Sequence, residues 1–242
     1  MEELVFGVRP VLEAIEAGKQ IDRVFIRQGA DTPHIMQIMA LCREKDIVAQ
    51  FVPVEKLNRL TRNNHQGVIA QVSPVEYFEI EDILEKVLRS DKTPLIVLMD
   101  SITDIRNFGA IARSCECAGV DALIMPKKNS APVNGDAVKS SAGALNLIPI
   151  CRVGSIRNTL KLLADQGLTI VAATEKAEKV IYDADLTKPM VLVMGSEDKG
   201  ISREVLKMCD VTVSIPMIGK TESLNVSAAA AVILFETLRQ RR

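Results

Sequence analysis

From residue 94 onward, apolar positions come in short unbroken runs instead of alternating ones: PLIVLMD (94–100), ALIMP (122–126), LIPICRV (147–153), LTIVAAT (168–174), MVLVMG (190–195) and VTVSIPM (211–217). Segments of helical periodicity separate them, near 108–118, 134–144, 155–166, 201–208 and 226–240. Unbroken runs suit strands buried on both faces, so the pattern predicts an α/β domain with a parallel sheet covered by helices on each side. The first 74 residues read differently. An amphipathic helix is expected over 4–17, with Arg9-Pro10 near its start and Gly18 beyond its end. Strands are expected at 21–26, 48–54 and 67–75, and helices at 34–46 and over VEKLNRLT. The resulting organisation is a small α/β domain (1–74), an acidic linker with one helix (75–92) and a larger α/β domain (93–242).

Polar residues collect where the strands of the larger domain end. LIVLMDSITDIRNFGAIARSCECAG (95–119), VLVMGSEDKGIS (191–202) and IPMIGKTESLNVS (215–227) each run from an apolar strand into a polar loop and then toward a helix N-terminus. Free backbone N–H groups gather at such places, and small molecules bind there in α/β proteins. Gly195 and Gly200 have phosphate-loop spacing, but Ile201-Ser202 stands where Lys-Ser/Thr is needed, and Glu197 and Asp198 repel phosphate. Near Gly219-Lys220-Thr221, Ser214 replaces the first glycine of that motif, and no strand leads into GxGxxG. A dinucleotide dehydrogenase is therefore excluded. An acid between two loop glycines favours a cationic or amine-bearing ligand.

Composition narrows the class without choosing a partner. The chain is 48% apolar and 25% charged with net charge −1. No apolar run reaches the roughly 18 residues of a membrane span, and MEELVFGVRP lacks the apolar core of a signal peptide. Five cysteines (42, 115, 117, 151, 209) contain no CxxC pair, which points to a reduced, cytoplasmic protein. His34 and His65 lack ligand spacing, so no metal is expected. Basic and acidic residues number 9 and 9 in 1–74, 3 and 6 in 75–92, and 18 and 16 in 93–242. Any nucleic-acid surface must then be local. With two Tyr, six Phe and no Trp, a base-stacking platform is not expected. RNNHQG is a donor-rich loop, and Arg9, Arg62, Asn63, Asn64, His65 and Gln66 are candidate RNA contacts, although a plain surface turn explains the same residues.

Asn107, Gly109-Ala110-Ile111 and Arg113-Ser114, then Gly195, Glu197 and Gly200-Ile201, then Ile215 to Met217 with Ser223 to Ser227, resemble in order the three motifs of SpoU-type RNA ribose 2′-O-methyltransferases of the SPOUT superfamily. FGVRPVLEAI (6–15) and NNHQGVIAQV (63–72) resemble the N-terminal substrate domain of the branch that methylates a guanosine of 23S ribosomal RNA. The resemblance implies a C-terminal trefoil knot, a homodimer built through the knotted domain, and S-adenosylmethionine held by Thr174, Gly195, Ile215, Met217 and Leu224. It also implies catalytic roles for Asn107, Arg113, Glu197, Ser223 and Asn225, with Arg113 acting on the ribose hydroxyl. Arginine keeps its proton, so Arg113 is expected to stabilise developing alkoxide or hold the adjacent phosphate. Glu197 could orient Arg113 or the substrate, or be a solvated loop acid. Simpler roles remain open: Asn107 or Asn225 as helix caps, and Ile215 and Leu224 as core residues. Rival functions are a tRNA 2′-O-methyltransferase and a non-catalytic RNA-binding or ribosome-assembly protein. The alanine-rich last helix, apolar around much of its circumference, should be buried and allow close helix contact across a two-fold axis.

Overall fold

The structure, a computed structural model, describes residues 4–242; the first three residues of the expected 1–74 domain lie outside it. The chain forms two compact units, one ending at Glu76 (with the short segment Val133–Gly135) and the other made of Tyr77–Pro132 and Asp136–Arg242.

In the first unit β1 (Leu4–Phe6), β4 (Val68–Val72), β2 (Ile21–Arg27) and β3 (Val48–Val52) form a sheet in that order, with only β2 and β3 parallel. One face carries Val24, Ile26, Val68 and Ala70 beneath α1 (Val8–Glu16) and α2 (Pro33–Glu44). Phe25, Val52 and Ile69 face the other way, against Leu57 of α3 (Val54–Leu60). The helix expected from residue 4 begins only at Val8. Gly7 has φ +93, outside helical space, and Leu4 and Phe6 pair instead with Gln71 and Ile69.

The second unit holds six parallel strands in the order β10 (Val211–Val213), β8 (Thr169–Ala173), β9 (Met190–Gly195), β5 (Leu95–Asp100), β6 (Ala122–Pro126), β7 (Ile150–Val153). Side chains alternate across the sheet. Ile96, Leu98, Ile124, Ile170, Val191 and Val193 share a core with α4 (Ile80–Leu88), α7 (Ile156–Asp165) and α8 (Arg203–Leu206). Val97, Met99, Leu123, Val171 and Leu192 alternate with them and are equally buried. On that side α9 (Val226–Gln240) packs on β9 and on α5 (Ile105–Cys117). The 75–92 segment, expected as a linker, does contain a helix, but Ile80, Ile83, Leu84 and Val87 of α4 belong to this core.

Several expected elements are shorter than the pattern suggested, among them the 201–208 helix, which is α8 (Arg203–Leu206), and the 67–75 strand, which is β4 (Val68–Val72). The 211–217 strand stops at Val213; Ser214 instead bonds the 179–181 segment, and Pro216 lacks the N–H a ladder needs. The 134–144 helix is α6 (Gly135–Ser140), ended by left-handed Ala142 and Gly143 before a 3-10 turn at Ala144–Asn146. The 147–153 strand begins at Ile150, just after Pro149. Among the described residues no helix is long and apolar enough to cross a membrane, and no His/Cys/Asp/Glu group could hold a metal.

Gly109 lets α5 approach the 140–141 backbone. A Cβ there would stand 2.5 Å from Ser140 Cβ and 2.9 Å from Ser141 N. The Gly109→Ala protein is therefore expected to lose about 1–3 kcal/mol of stability through overpacking, read from urea melts; an unchanged midpoint would contradict this packing.

Candidate active site

The strand order reverses its sense of progression at β5 and β9. From β5 the chain builds outward through β6 and β7, then crosses to build β8, β9 and β10 on the other flank. All six strands are parallel, so their carboxyl ends share one edge, and the crevice at the reversal is where open α/β sheets bind ligands. Asp100 ends β5 directly beside Gly195, which ends β9.

Each connecting loop is fixed locally. After β5, Ser101 adopts φ +61 and the chain enters α5 at Asp104, whose Oδ1 accepts from Arg106 N at 2.8 Å and Asn107 N at 2.9 Å. Asp104, not Asn107, is thus the cap, and the Asn107 amide is left for other work. After β9, Ser196 and Gly200 exchange backbone hydrogen bonds of 3.2 and 2.8 Å, with Gly200 at φ +65, and Glu197 stands on the short loop they close. Gly195 cannot carry a side chain, because a Cβ would run into the Gly200 and Ile201 backbone. Packing accounts for this glycine without a ligand.

The third loop ties the other two together. Asn225 Oδ1 accepts from Ser227 N at 2.9 Å, capping α9. Asn225 Nδ2 donates to Asn107 Oδ1 at 3.0 Å and to Glu197 Oε1. One amide therefore serves both as cap and as the junction of three segments far apart in the chain. Glu197 engages Asn225 and not Arg113.

The remaining candidates are less closely joined. Thr174 follows β8, its N–H donating to Val213 O of β10 at 3.0 Å, so it and Ile215 flank neighbouring strand ends. Ile215 is half-buried, whereas Met217 and Leu224 are each 39% exposed, which removes the core-packing explanation for Leu224. Ser223 is exposed and forms no hydrogen bond among the described residues. Arg113 lies six residues along α5 from Asn107, about 1.7 turns and roughly 9 Å in rise. It is exposed, with neither a hydrogen bond nor an ion pair among the described residues.

In the first unit the RNNHQG loop is largely bonded to itself. His65 Nδ1 accepts from Gly67 N at 3.0 Å, so its proton sits on Nε2, which donates to Asn58 Oδ1 at 2.9 Å. Gln66 Oε1 accepts the Val8 N–H at 3.0 Å at the start of α1, and Asn64 Oδ1 accepts from Gln66 N at 3.3 Å. Arg9 and Arg62 remain exposed donors.

Sequence reasoning passed over Asp100. It is buried at 4% exposure, with Oδ1 accepting from Ser101 Oγ at 3.0 Å and Oδ2 from Ser202 N at 2.8 Å. Its carboxylate holds down the far end of the Glu197 loop. The available signal was an acid closing an otherwise apolar strand, LIVLMD.

A parallel sheet with loops gathered at its switch point defines a ligand-binding α/β domain, and comparison with known proteins supplies its family. Residues 94–235 match the SpoU rRNA Methylase family, and residues 4–78 match the RNA 2′-O ribose methyltransferase substrate-binding domain. The chain belongs to the SpoU methylase family. It is 40% identical to an uncharacterized tRNA/rRNA methyltransferase of Mycolicibacterium vanbaalenii, over 99% of this chain and 77% of that protein. It is 36% identical to the 23S rRNA (guanosine-2′-O-)-methyltransferase RlmB of Pseudomonas putida, over 99% and 97%. Its fold matches the SpoU methyltransferase AviRb of Streptomyces viridochromogenes in complex with AdoMet, at 28% identity and TM-score 0.63, covering 99% of this chain and 90% of that one. The protein is an RNA methyltransferase, and S-adenosylmethionine is its methyl donor.

The loops suit such a donor chemically. Amides and the Glu197 carboxylate can receive an amine and tolerate a sulfonium charge, and Met217 and Leu224 offer part-exposed apolar surface to an adenine ring.

Removing the Asp100 carboxylate should strand the Ser202 N–H and Ser101 hydroxyl. Asp100→Ala is expected to cost about 1–3 kcal/mol in chemical denaturation, and Asp100→Asn, which keeps an acceptor, distinctly less. Equal losses for both, or none for Ala, would show that the carboxylate does not anchor this loop.

Proposed function

We propose that this enzyme methylates a ribose 2′-hydroxyl of structured RNA, with a guanosine of 23S ribosomal RNA as the favoured target. The observation that carries the reading is the Asn225 amide, which unites Asn107, Glu197 and the cap of α9 at the switch point. The choice of 23S ribosomal RNA is supported by the relative from Pseudomonas putida, aligned over nearly its whole length. The 2′-hydroxyl is supported by the match of residues 4–78.

In this reading Thr174, Gly195, Ile215, Met217 and Leu224 border the donor, largely through backbone groups. When bound, the donor supplies an electrophilic methyl on a positively charged sulfur that departs neutral. The ribose oxygen would form its bond to the methyl carbon as the carbon–sulfur bond breaks and the hydroxyl proton passes to solvent, so the protein's task is to stabilise oxygen as it gains negative charge. Arg113 fits that task because no carboxylate neutralises it, and its fixed charge acts without surrendering a proton. Asn107, Glu197 and Asn225 hold the loops in register, and Ser223, exposed on the third loop, is assigned to the hydroxyl. Arg9, Arg62 and Asn64, with His65 and Gln66 shaping their loop, present donors to RNA in the N-terminal unit.

Two architectural features belong to the same reading. The segment 214–225 joins edge strand β10 to Asn225, whose amide reaches Asn107 of α5, the helix that follows central strand β5, and this long return toward the sheet centre supports a trefoil knot. Phe235 is 51% exposed on α9, which supports a homodimer formed through that helix. The five free cysteines fit a cytoplasmic setting.

The test is transfer of labelled methyl to total RNA, followed by mapping of 2′-O-methyl positions with and without the gene. Loss of one 23S position supports the proposal; a lost tRNA position would redirect it, and no transfer at all would refute it. Arg113→Ala should fold and bind donor within a few-fold of wild type while methyl transfer falls about 100-fold or more. Near wild-type transfer would remove Arg113 from the mechanism.

A further inference from the structure

The sheet face opposite α5 and α9 carries a feature that the methyl-transfer site does not use. A groove of about 490 Å³ is lined by Arg157, Asn158 and Lys161 of α7, by Glu204 of α8, and by Lys207 and Met208 just beyond it. Arg157 and Lys161 stand four residues apart on one helical face, roughly 6 Å along the axis. Lys207 comes from the other wall. All three are exposed and take part in no ion pair among the described residues. Against them the groove sets a single carboxylate, Glu204, in a chain whose net charge is −1. The lining therefore carries a net positive charge.

The position of the groove is as informative as its charge. Both α7 and α8 begin at the carboxyl edge of the sheet, after β7 and β9. α8 follows directly on Ser202, whose N–H is held by Asp100 at the end of the Glu197 loop. The cationic walls thus start on the edge that bears the catalytic loops and lead away from it along the α7/α8 face.

We propose that this groove binds the sugar–phosphate backbone of the substrate RNA, as a second contact that holds the strand flanking the target nucleotide. The inference rests on the reading of the protein as an RNA 2′-O-methyltransferase. Unpaired lysine and arginine side chains bind a backbone by neutralising charge and releasing counterions, without reading sequence. Asn158 adds a neutral donor, and Met208 a surface against which a sugar can lie.

The test compares wild-type enzyme with Arg157→Ala/Lys161→Ala/Lys207→Ala and with a control that removes three exposed cations elsewhere, Lys86→Ala/Arg89→Ala/Lys188→Ala. RNA affinity is measured as a function of salt, with S-adenosylmethionine affinity and kcat measured in parallel. The groove variant should show a slope of log Kd against log salt that is smaller by about 2–3, a raised KM for RNA, and unchanged kcat and donor affinity. A slope equal to wild type, or a loss matched by the control, would overturn the proposal. So would equal competition by polyglutamate, which would make the groove a general anion surface. If wild-type enzyme neither binds nor methylates RNA, the functional reading fails first and the groove proposal falls with it; if wild type is active and the groove variant matches it, only the groove proposal falls.

Discussion

The pairing of Asp100 with Gly195 is the constraint on which the rest of the site depends. These residues end the two central strands side by side, and both are fixed by what surrounds them. Gly195 admits the Gly200–Ile201 backbone only because it has no side chain. Asp100 receives the Ser202 N–H at 2.8 Å inside the protein, where an unmade hydrogen bond is costly. Together they pin both ends of the Glu197 loop to the sheet. Asn225 then has a fixed acceptor to reach, and α9 begins where that contact requires. The geometry is inherited from the sheet core outward to the polar loops.

Much of this could be read from residues. The continuous runs LIVLMD, ALIMP and MVLVMG became strands with almost the expected limits, because burial on both faces leaves no other use for them. The three polar strand ends do converge through Asn225. Other features depended on tertiary context that periodicity does not encode. Leu4–Phe6 pairs with β4 because Gly7 breaks the chain direction, while amphipathic spacing alone favoured a helix. The acidic composition of 75–92 concealed the four apolar residues of α4 that complete a core. Asn107 and Asp104 both suit a helix start, and in the folded chain the aspartate takes that role, freeing the asparagine for Asn225. Of the partners open to Glu197, Arg113 is not the one it touches; its carboxylate meets Asn225 instead.

Charge follows a similar logic. A net charge near zero gave no hint of a nucleic-acid partner, yet binding responds to local arrangement. Arg157 and Lys161 are unremarkable in a list of residues; their meaning comes from α8, which brings Lys207 to face them.

The strand order also has a temporal consequence. Leu95 must find Met190, and Asn107 must wait for Asn225, so the centre of the sheet is closed by partners synthesised long after its first strand. Parallel pairing over such sequence distances is slow, because chain entropy is lost before contacts repay it. During translation the early strands stand with open edges. The Asn225 junction with Asn107 and Glu197 can close only once the chain leading into α9 is in place, so the loops at the centre of the sheet are locked together by the part of the chain made last.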